Sequence, residues 1–381
     1  MKIFAALTYY APHWTGLTAH AVRVAEELAA RGHEVTVLAT RHLAGLPARE
    51  FRNGVEVVRV RPVLRLSRAQ IAPAFTAAAA RLVADCDVVQ LHTPLPEAPL
   101  VALLARLLGK PVVLTHHADV VMPAGFANRV LEHAALAVLT SAARLASAVT
   151  SYSRDYADHS PLLSAFEDRL SCIAPPVRLP APDRAAAMAW RASFAPGTRN
   201  LIGFAGRWVE EKGFDVLLRA FPLVLRALPD ARLVFAGESG VVYENFFERC
   251  QPLLDPIRDR VTFLGLLREP ARMANFYALC DLFVLPSRSD MMALVQVEAM
   301  LAGTPVVASD VPGARVPVRE TAFGRLAPPG EPEALASVVL ETLRDRERYR
   351  PRRSAVVAAF DPDRSLDLYE ELLVRVVREN R

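Results

Sequence analysis

The chain predicts two doubly wound α/β domains, and three observations carry that reading. Short apolar runs, nearly free of polar residues, alternate with longer stretches of helical periodicity, as expected for strands buried on both faces of a parallel sheet. The alternation lapses once, in a proline-rich stretch, and then restarts. The length, 381 residues with 52% hydrophobic side chains, suits two cores at roughly 100–200 residues per domain.

In the first half the strand-like runs are Ile3–Leu7, Glu34–Ala39, Val55–Val60, Asp87–His92, Pro111–Thr115, Ala148–Ser151 and Leu170–Ile173. Between the first two, Leu17–Arg31 carries an apolar stripe (Ala21, Val24, Ala25, Leu28) and stops at Gly32, which reads as an amphipathic helix with a glycine past its end. Prolines then cluster around residues 174–200, which predicts a linker over 179–195 between a domain of residues 1–178 and one of 196–361. The second series runs Leu201–Ala205, Arg232–Ala236, Val261–Leu264, Leu282–Leu285 and Pro305–Ala308. A last pattern, Ser365–Arg378, has Leu366, Leu368, Leu372, Leu373 and Val376 at helical spacing and must bury that face. Two such domains are expected to leave a cleft at the carboxyl ends of their sheets, where ligands of these sheets bind.

Composition excludes several classes. The apolar content rules out disorder. The four cysteines (Cys86, Cys172, Cys250, Cys280) have no C-x-x-C pair and no histidine at metal-ligand spacing, which predicts buried thiols of a reducing, cytoplasmic compartment and no metal site. The opening residues turn polar at Thr8 and Tyr9, too soon for a signal sequence. No apolar stretch reaches the length of a membrane span. The net charge of +4 falls in the first half, where seven arginines lie between Arg41 and Gln70 against Glu50 and Glu56. Neither a dense basic stripe nor a nucleic-acid motif is present, so no nucleic-acid partner is expected. Only three lysines, Lys2, Lys110 and Lys212, stand among 45 basic residues.

The strongest chemical signal is Pro286 to Ser309. A buried strand ends at Leu285, Ser289 and Asp290 are helix-capping candidates, and an almost wholly apolar helix is expected to run to Ala302 before Gly303. Glu298 is the anomaly, because a carboxylate on a buried helix needs a partner. Asp290 and Glu298 would flank a helix N-terminus, whose open amides suit a phosphate; an ordinary cap and an internal pair are the plainer readings. A second cluster, Gly203 to Gly213, puts Arg207 and Lys212 after a strand and before a helix, where both could meet phosphate oxygens or decorate a surface turn. In the first half, Tyr9 to His20 contains only Gly16 where a dinucleotide fingerprint would have three glycines. His117 and Asp119 follow the strand Pro111–Thr115 and are the functional candidates there, ahead of His13, His20 and His92. Two D-x-D triplets, Asp85–Asp87 and Asp361–Asp363, lie away from strand carboxyl ends and are not expected to bind metal.

Taken together these residues resemble the GT-B fold retaining glycosyltransferases of the large family that includes bacterial phosphatidylinositol mannosyltransferases and polysaccharide-assembly enzymes. The most specific part is Glu298-Ala-Met-x-x-Gly-x-Pro-Val-Val, preceded by Asp290. The resemblance implies two doubly wound domains with an interdomain cleft, and a last helix, residues 362–381, crossing back onto the first. It implies a nucleotide-sugar donor, a UDP- or GDP-sugar. Glu298 would grip the ribose, Asp290 would face the sugar, and the amides of Met292, Ala293 and Leu294 would meet the phosphates. Arg207 and Lys212 would hold the diphosphate, Gly16 would line the donor, and His117 would lie near the transferred sugar and acceptor. No cofactor or metal is implied.

The chain departs from that pattern at four places. Asp290 stands where glutamate is usual, Met292-Ala293 where Phe-Gly is common, and Thr15 where the first loop glycine is usual; Gly237-Glu-Ser-Gly240 is also atypical. The expected reaction is transfer of a sugar to an acceptor hydroxyl with retention, in glycolipid or polysaccharide assembly. A sugar-nucleotide epimerase, a phosphorylase and an inactive donor-binding subunit remain as rivals. The acceptor is open, a lipid-linked one included. Arg59, Arg61, Arg65 and Arg68 are the candidates for contact with an anionic membrane surface, at the inner face of the membrane.

Overall fold

A computed structural model describes residues 1–66, 69–121, 125–238 and 245–380. The chain divides into two compact units, Met1–Pro176 with Asp363–Arg381, and Val177–Pro362. In the first unit the strands are β1 (Lys2–Ala6), β2 (Glu34–Thr40), β3 (Arg49–Arg52), β4 (Val55–Val60), β5 (Leu64–Leu66), β6 (Ala69–Ile71), β7 (Val88–Thr93), β8 (Val112–His116), β9 (Ala148–Ser151) and β10 (Leu170–Cys172). Eight of them form one sheet in the order β10-β9-β8-β7-β1-β2-β4-β3, while β5 and β6 form a separate hairpin. Every pairing in the large sheet is parallel except β3 with β4.

That antiparallel edge departs from the all-parallel expectation for a local reason. Asn53 and Gly54 both have positive φ, 47° and 82°, and join Arg52 to Val55 as a two-residue turn. Asn-Gly is the strongest short hairpin signal, and it turns the chain back before the charged Arg-Glu-Phe-Arg strand could be recognised as one. An edge strand of charged residues is also protected against pairing with other chains.

The helix Gly16–Ala30 starts at Thr15, whose hydroxyl accepts the Thr18 amide at 3.2 Å. It ends with Gly32 in the left-handed region, φ 89°, as a helix terminus of this kind requires. Its Val24 and Leu28 pack on Ile3, Ala5, Val35, Val37 and Val57. The last helix, Pro362–Glu379, contributes Tyr369, Leu372, Leu373 and Val376 to the same core. At about 1.5–3 kcal/mol for each large apolar side chain withdrawn from water, this packing is what ties the carboxyl terminus to the first unit.

The second unit holds β11 (Leu201–Ala205), β12 (Arg232–Ala236), β13 (Val261–Phe263), β14 (Leu282–Leu285), β15 (Val306–Ser309) and β16 (Gly324–Ala327). They form a parallel sheet in the order β13-β12-β11-β14-β15-β16. The short β16 was not expected from its sequence. A Cβ on Gly324 would stand 1.9 Å from the Val306 carbonyl oxygen, so glycine is what lets it pair. Residues 184–194, inside the stretch read as a linker, form a helix that belongs to the second unit. Asp183 caps it through the Ala186 amide at 3.0 Å, and Arg191 binds Asp281 at 2.6 Å. Prolines on both sides hid an alanine-rich segment that is a strong helix former. No helix among the described residues is long and apolar enough to cross a membrane.

Glu370 on the last helix meets Arg31 at 2.7 Å and His33 at 2.9 Å, and these partners hold its carboxyl below the usual range. A depressed carboxyl stabilises the folded chain above its ordinary pKa, and that contribution is lost as pH falls through the folded value. Glu370→Gln should therefore cost about 0.5–1 kcal/mol near neutrality, the size of a half-exposed pair. Thermal melts from pH 7 down to pH 3 should show the gap between wild type and variant closing as Glu370 protonates.

Candidate functional site

In an open parallel sheet, ligands bind where the strand order reverses, because the loops leaving two adjacent strands there diverge. In the second unit that place lies between β11 and β14, whose neighbours in sequence lie on opposite sides. The loop after β11 runs from Gly206 to Gly213, and the loop after β14 from Pro286 to Ala293. Both are clamped by close approaches that only glycine allows. A Cβ on Gly213, φ 65°, would stand 1.8 Å from the Pro286 carbonyl oxygen, and one on Gly313, φ 78°, would stand 2.3 Å from that of Asp290. Trp208, fully buried against Phe214 and Phe235, anchors the middle of the first loop. Arg288 reaches from the other loop with a forked pair of bonds to Asp215, at 2.8 and 2.7 Å.

The two loops bring Lys212 to Asp290, with Nζ 2.6 Å from Oδ2. Burial alone would push the lysine down and the charge of Arg207 opposes it too, but Asp290 and Glu211 outweigh both, so its pKa is raised. Lys212 is thus a fixed ammonium at neutral pH. Ser287, fully buried, donates to the same Asp290 oxygen at 3.4 Å. Arg207 is half-buried on the same loop.

The helix expected to start at Ser289 or Asp290 begins instead at Leu294 and ends at Leu301, with Ala293 at its N-cap. Asp290 is occupied by Lys212 and forms an isolated bridge with Gly313, so it is a loop residue and not a cap. Met292, Ala293 and Leu294 are buried and lead into the first turn, where helix amides have no intrahelical acceptor. Glu298 is half-buried, less enclosed than its apolar helix implied, and accepts from the Tyr277 hydroxyl at 2.9 Å.

In the first unit the strand order reverses between β1 and β7. Gly16 opens the helix after β1; a Cβ there would meet no atom within 4 Å, and the residue is exposed. Thr15 has its own local job as the N-cap of that helix, which accounts for a hydroxyl where a glycine is usual. His117 lies just past β8, buried, with Nε2 2.9 Å from Nδ1 of His92 and Nδ1 against the Tyr152 hydroxyl. Burial, and then the neighbouring His20, His92 and His116, hold it well below the usual histidine pKa, so it is neutral. His92 is pushed down to about 3 by burial.

Asp119 is brought to His116 and not to His117. Its carboxylate meets His116 Nε2 at 3.1 Å, the Ser160 hydroxyl at 2.9 Å and the Tyr156 hydroxyl at 2.8 Å. Burial favours its neutral form, but these partners win and hold the carboxyl below its ordinary value. Sequence reading passed over His116, Tyr152 and Tyr156, and ranked His20 and His92 low. Only their positions near strand ends could have signalled them. Of the metal-ligating side chains, His20, His92 and His117 place their ring nitrogens within 4.8 Å of one another.

The arginine surface needs a correction. Arg59 is buried, binds Glu50 at 2.6 Å and donates to the Ala11 carbonyl at 2.7 Å. It lies on β4, whose alternate side chains point inward. Arg61 is exposed and, with Arg41, Val63 and Leu64, lines an open cavity of about 530 Å3. The Arg65 side chain and Arg68 lie outside the described residues, as do Ser239 and Gly240. The acids of the first D-x-D triplet are structural: Asp85 pairs with Lys2 at 3.0 Å, and Asp87 accepts the Lys2 amide at 2.8 Å.

Comparison with known proteins gives the following matches. The family described as "Glycosyl transferases group 1" matches residues 199–345, and "Glycosyltransferase Family 4" matches residues 14–179. A GDP-mannose-dependent alpha-mannosyltransferase of Mycolicibacterium smegmatis is 30% identical over 98% of this chain and 98% of its own length. A D-inositol 3-phosphate glycosyltransferase of Segniliparus rotundus is 36% identical, over 42% of this chain and only 36% of its own length. The solved structure of Anabaena HepE in complex with UDP and glucose superposes with a TM-score of 0.78 at 21% identity, covering 98% of this chain and 100% of that one. The fold is therefore GT-B.

Two glycines should respond oppositely to a methyl group. Gly213→Ala forces a Cβ into the Pro286 carbonyl and should destabilise by about 2 kcal/mol or more, as a strained left-handed position does. Gly16→Ala meets open space and should leave the melting temperature unchanged or slightly higher. Thermal denaturation of the two variants beside wild type checks both.

Proposed function

The chain belongs to the glycosyltransferases of group 1 and family 4, and from that membership we propose that it moves a sugar from a nucleoside diphosphate sugar to an acceptor hydroxyl, with retention and without a metal. The observation that carries this reading is the Lys212–Asp290 pair at the β11/β14 switch point, with Arg207 on the same loop. When the anomeric C–O bond breaks, negative charge gathers on the departing diphosphate and positive charge on the sugar ring. Lys212 as a compact cation and Arg207 as a planar fork can stabilise that leaving group. The amides of Met292, Ala293 and Leu294, entering the helix at Leu294, add donors where phosphate binds. Two fixed cations can thereby serve the charge-neutralising purpose of a divalent ion.

Asp290 holds Lys212 in place and stands where it can turn to the sugar hydroxyls. Glu298, oriented by Tyr277, is assigned to the ribose hydroxyls. The open space over Gly16 admits close approach of donor atoms to the backbone. In the first unit His117 is assigned to the acceptor and sugar hydroxyls as a neutral hydrogen-bonding group. Asp119 acts through His116 and is a positioning residue.

For the donor, both GDP- and UDP-sugars are candidates, in keeping with a GDP-mannose-dependent relative and a UDP-bound neighbour in fold. For the acceptor, two arginines beside Val63 and Leu64 in one cavity suit a molecule with an anionic head and an apolar part, such as one used in glycolipid or polysaccharide assembly. We place the reaction in the cytoplasm, at the inner membrane face, with Arg61 the described member of the arginine set that is open to solvent.

Lys212→Ala should lower kcat by about 10²–10³, the cost of losing one charge-stabilising donor, while Glu298→Ala should act mainly on the donor KM. The assay is a panel of UDP- and GDP-sugars ranked first by thermal stabilisation, then by transfer to polyol and lipid acceptors. Unchanged turnover in Lys212→Ala would sink the assignment. Donor isomerisation without acceptor would mark an epimerase instead.

A further inference from the structure

Three histidines from three separate elements meet inside the first unit: His20 from the second turn of the helix Gly16–Ala30, His92 from β7, and His117 after β8. Their ring nitrogens lie within 4.8 Å of one another, and all three side chains are buried. His20 is fully enclosed, and neither of its nitrogens has a hydrogen-bond partner among the described residues. A buried polar group left unpaired is costly, so a ring placed there without a partner calls for a ligand.

We propose that His20, His92 and His117 form a binding site for one borderline d-block cation of the Zn2+ kind. The geometry of His92 and His117 supports it. Their facing nitrogens are 2.9 Å apart, and two nitrogens bound to one tetrahedral ion at 2.0–2.1 Å stand about 3.3 Å apart. A separation wider by a few tenths of an ångström replaces the shared proton with the ion, and His20 closes by turning about its side-chain torsions. The outer shell is also present. Tyr152 engages His117 Nδ1, which leaves Nε2 as the ligating atom and fixes the ring, as partners of metal-bound histidines do. Tyr152 and Tyr369 pack on the His20 ring, with centroids at 5.0 and 5.3 Å.

The ligand chemistry selects the ion. Three neutral imidazoles without a carboxylate suit Zn2+, Cu2+, Ni2+ or Co2+ and reject Mg2+ and Ca2+. The fourth position falls to water or hydroxide, reached past His117, the most exposed of the three at 7%. Hydroxide there would lower the charge next to Arg23, whose positive field is felt at His20. One consequence rests on the proposed function, which assigns His117 to the acceptor side: an ion on Nε2 commits that ring to the metal, so the loaded protein is switched off.

The test uses the untagged full chain, stripped with a chelator and titrated with Co2+. One equivalent should give the visible absorption of a four- or five-coordinate nitrogen site, bleached by one equivalent of Zn2+, and the melting temperature should rise. His20→Asn and His92→Asn should each weaken binding at least tenfold. Only the weak spectrum of hexa-aquo Co2+ with wild type, or equal affinity in wild type and a folded His20→Asn, overturns the site; the wild-type spectrum decides even where a variant fails to fold. Absorption is read independently of sugar transfer. A normal Co2+ spectrum together with full transfer by the Zn2+-loaded protein would uphold the site and remove His117 from the acceptor side.

Discussion

β11 and β14 lie side by side although about eighty residues separate them, and the loops that leave their carboxyl ends must part there. Everything at this switch point depends on how those loops are held after they part. Gly213 lets the first loop press its backbone against Pro286, and Gly313 lets a third segment press against Asp290 and Met291. With both contacts in place, Lys212 meets Asp290 at 2.6 Å, with Glu211 at 3.5 Å. The ion pair is a consequence of backbone packing. A lysine on a loosely held turn would spend its charge in water, where a pair is worth at most about 1 kcal/mol.

The same topological position in the first unit is furnished quite differently. The segments around the β1/β7 reversal bring neutral imidazoles, hydroxyls and an exposed helix-opening glycine. Burial keeps His20, His92 and His117 uncharged. A neutral imidazole can donate and accept at once, which suits hydroxyl groups, whereas a fixed cation suits a departing phosphate. The two switch points thus differ in the protonation states that each unit's packing enforces, and the proposed division into an acceptor side and a donor side rests on that difference.

Much of this was legible in the sequence, and the misses share causes. The strands buried on both faces were read to within a residue or two, because a short unbroken apolar run between turn signals fits little besides a central strand. β3 and β16 were missed because one is a charged edge strand and the other needs Gly324 for a close approach, neither of which leaves an apolar signature. The helix Arg184–Phe194 was lost among prolines. Around the β11/β14 switch point Arg207, Lys212, Asp290 and Glu298 were singled out as candidates, since charges beside a buried strand are conspicuous. Their partners Ser287 and Tyr277 were not. His117 and Asp119 were singled out as candidates, while His116, the ring that Asp119 meets, was passed over. The histidine cluster had no sequence signal, because residues 20, 92 and 117 are joined only by the order of strands in the sheet.

The shortage of lysine sharpens the case for Lys212. Where nearly every basic residue is arginine, what each of the three lysine ammonium groups touches is informative. Lys2 bonds Asp85 at the start of β1, and Lys110 reaches the carbonyl of Cys86 at 2.7 Å. Both satisfy groups at the amino ends of strands, as single-point donors. Lys212 is also a single-point donor, but its partner is a carboxylate at a switch point, in a loop flanked by Gly213 and carrying the anchor Trp208. An arginine there would present a flat fork about twice as broad to a carboxylate approached end-on, and it would deliver its charge over three nitrogens. A compact ammonium can be exchanged between the Asp290 carboxylate and a phosphate oxygen by a small rotation of its last bonds. That exchange, from an internal anion to one brought by the ligand, is what the proposed transfer would ask of a lysine at this position.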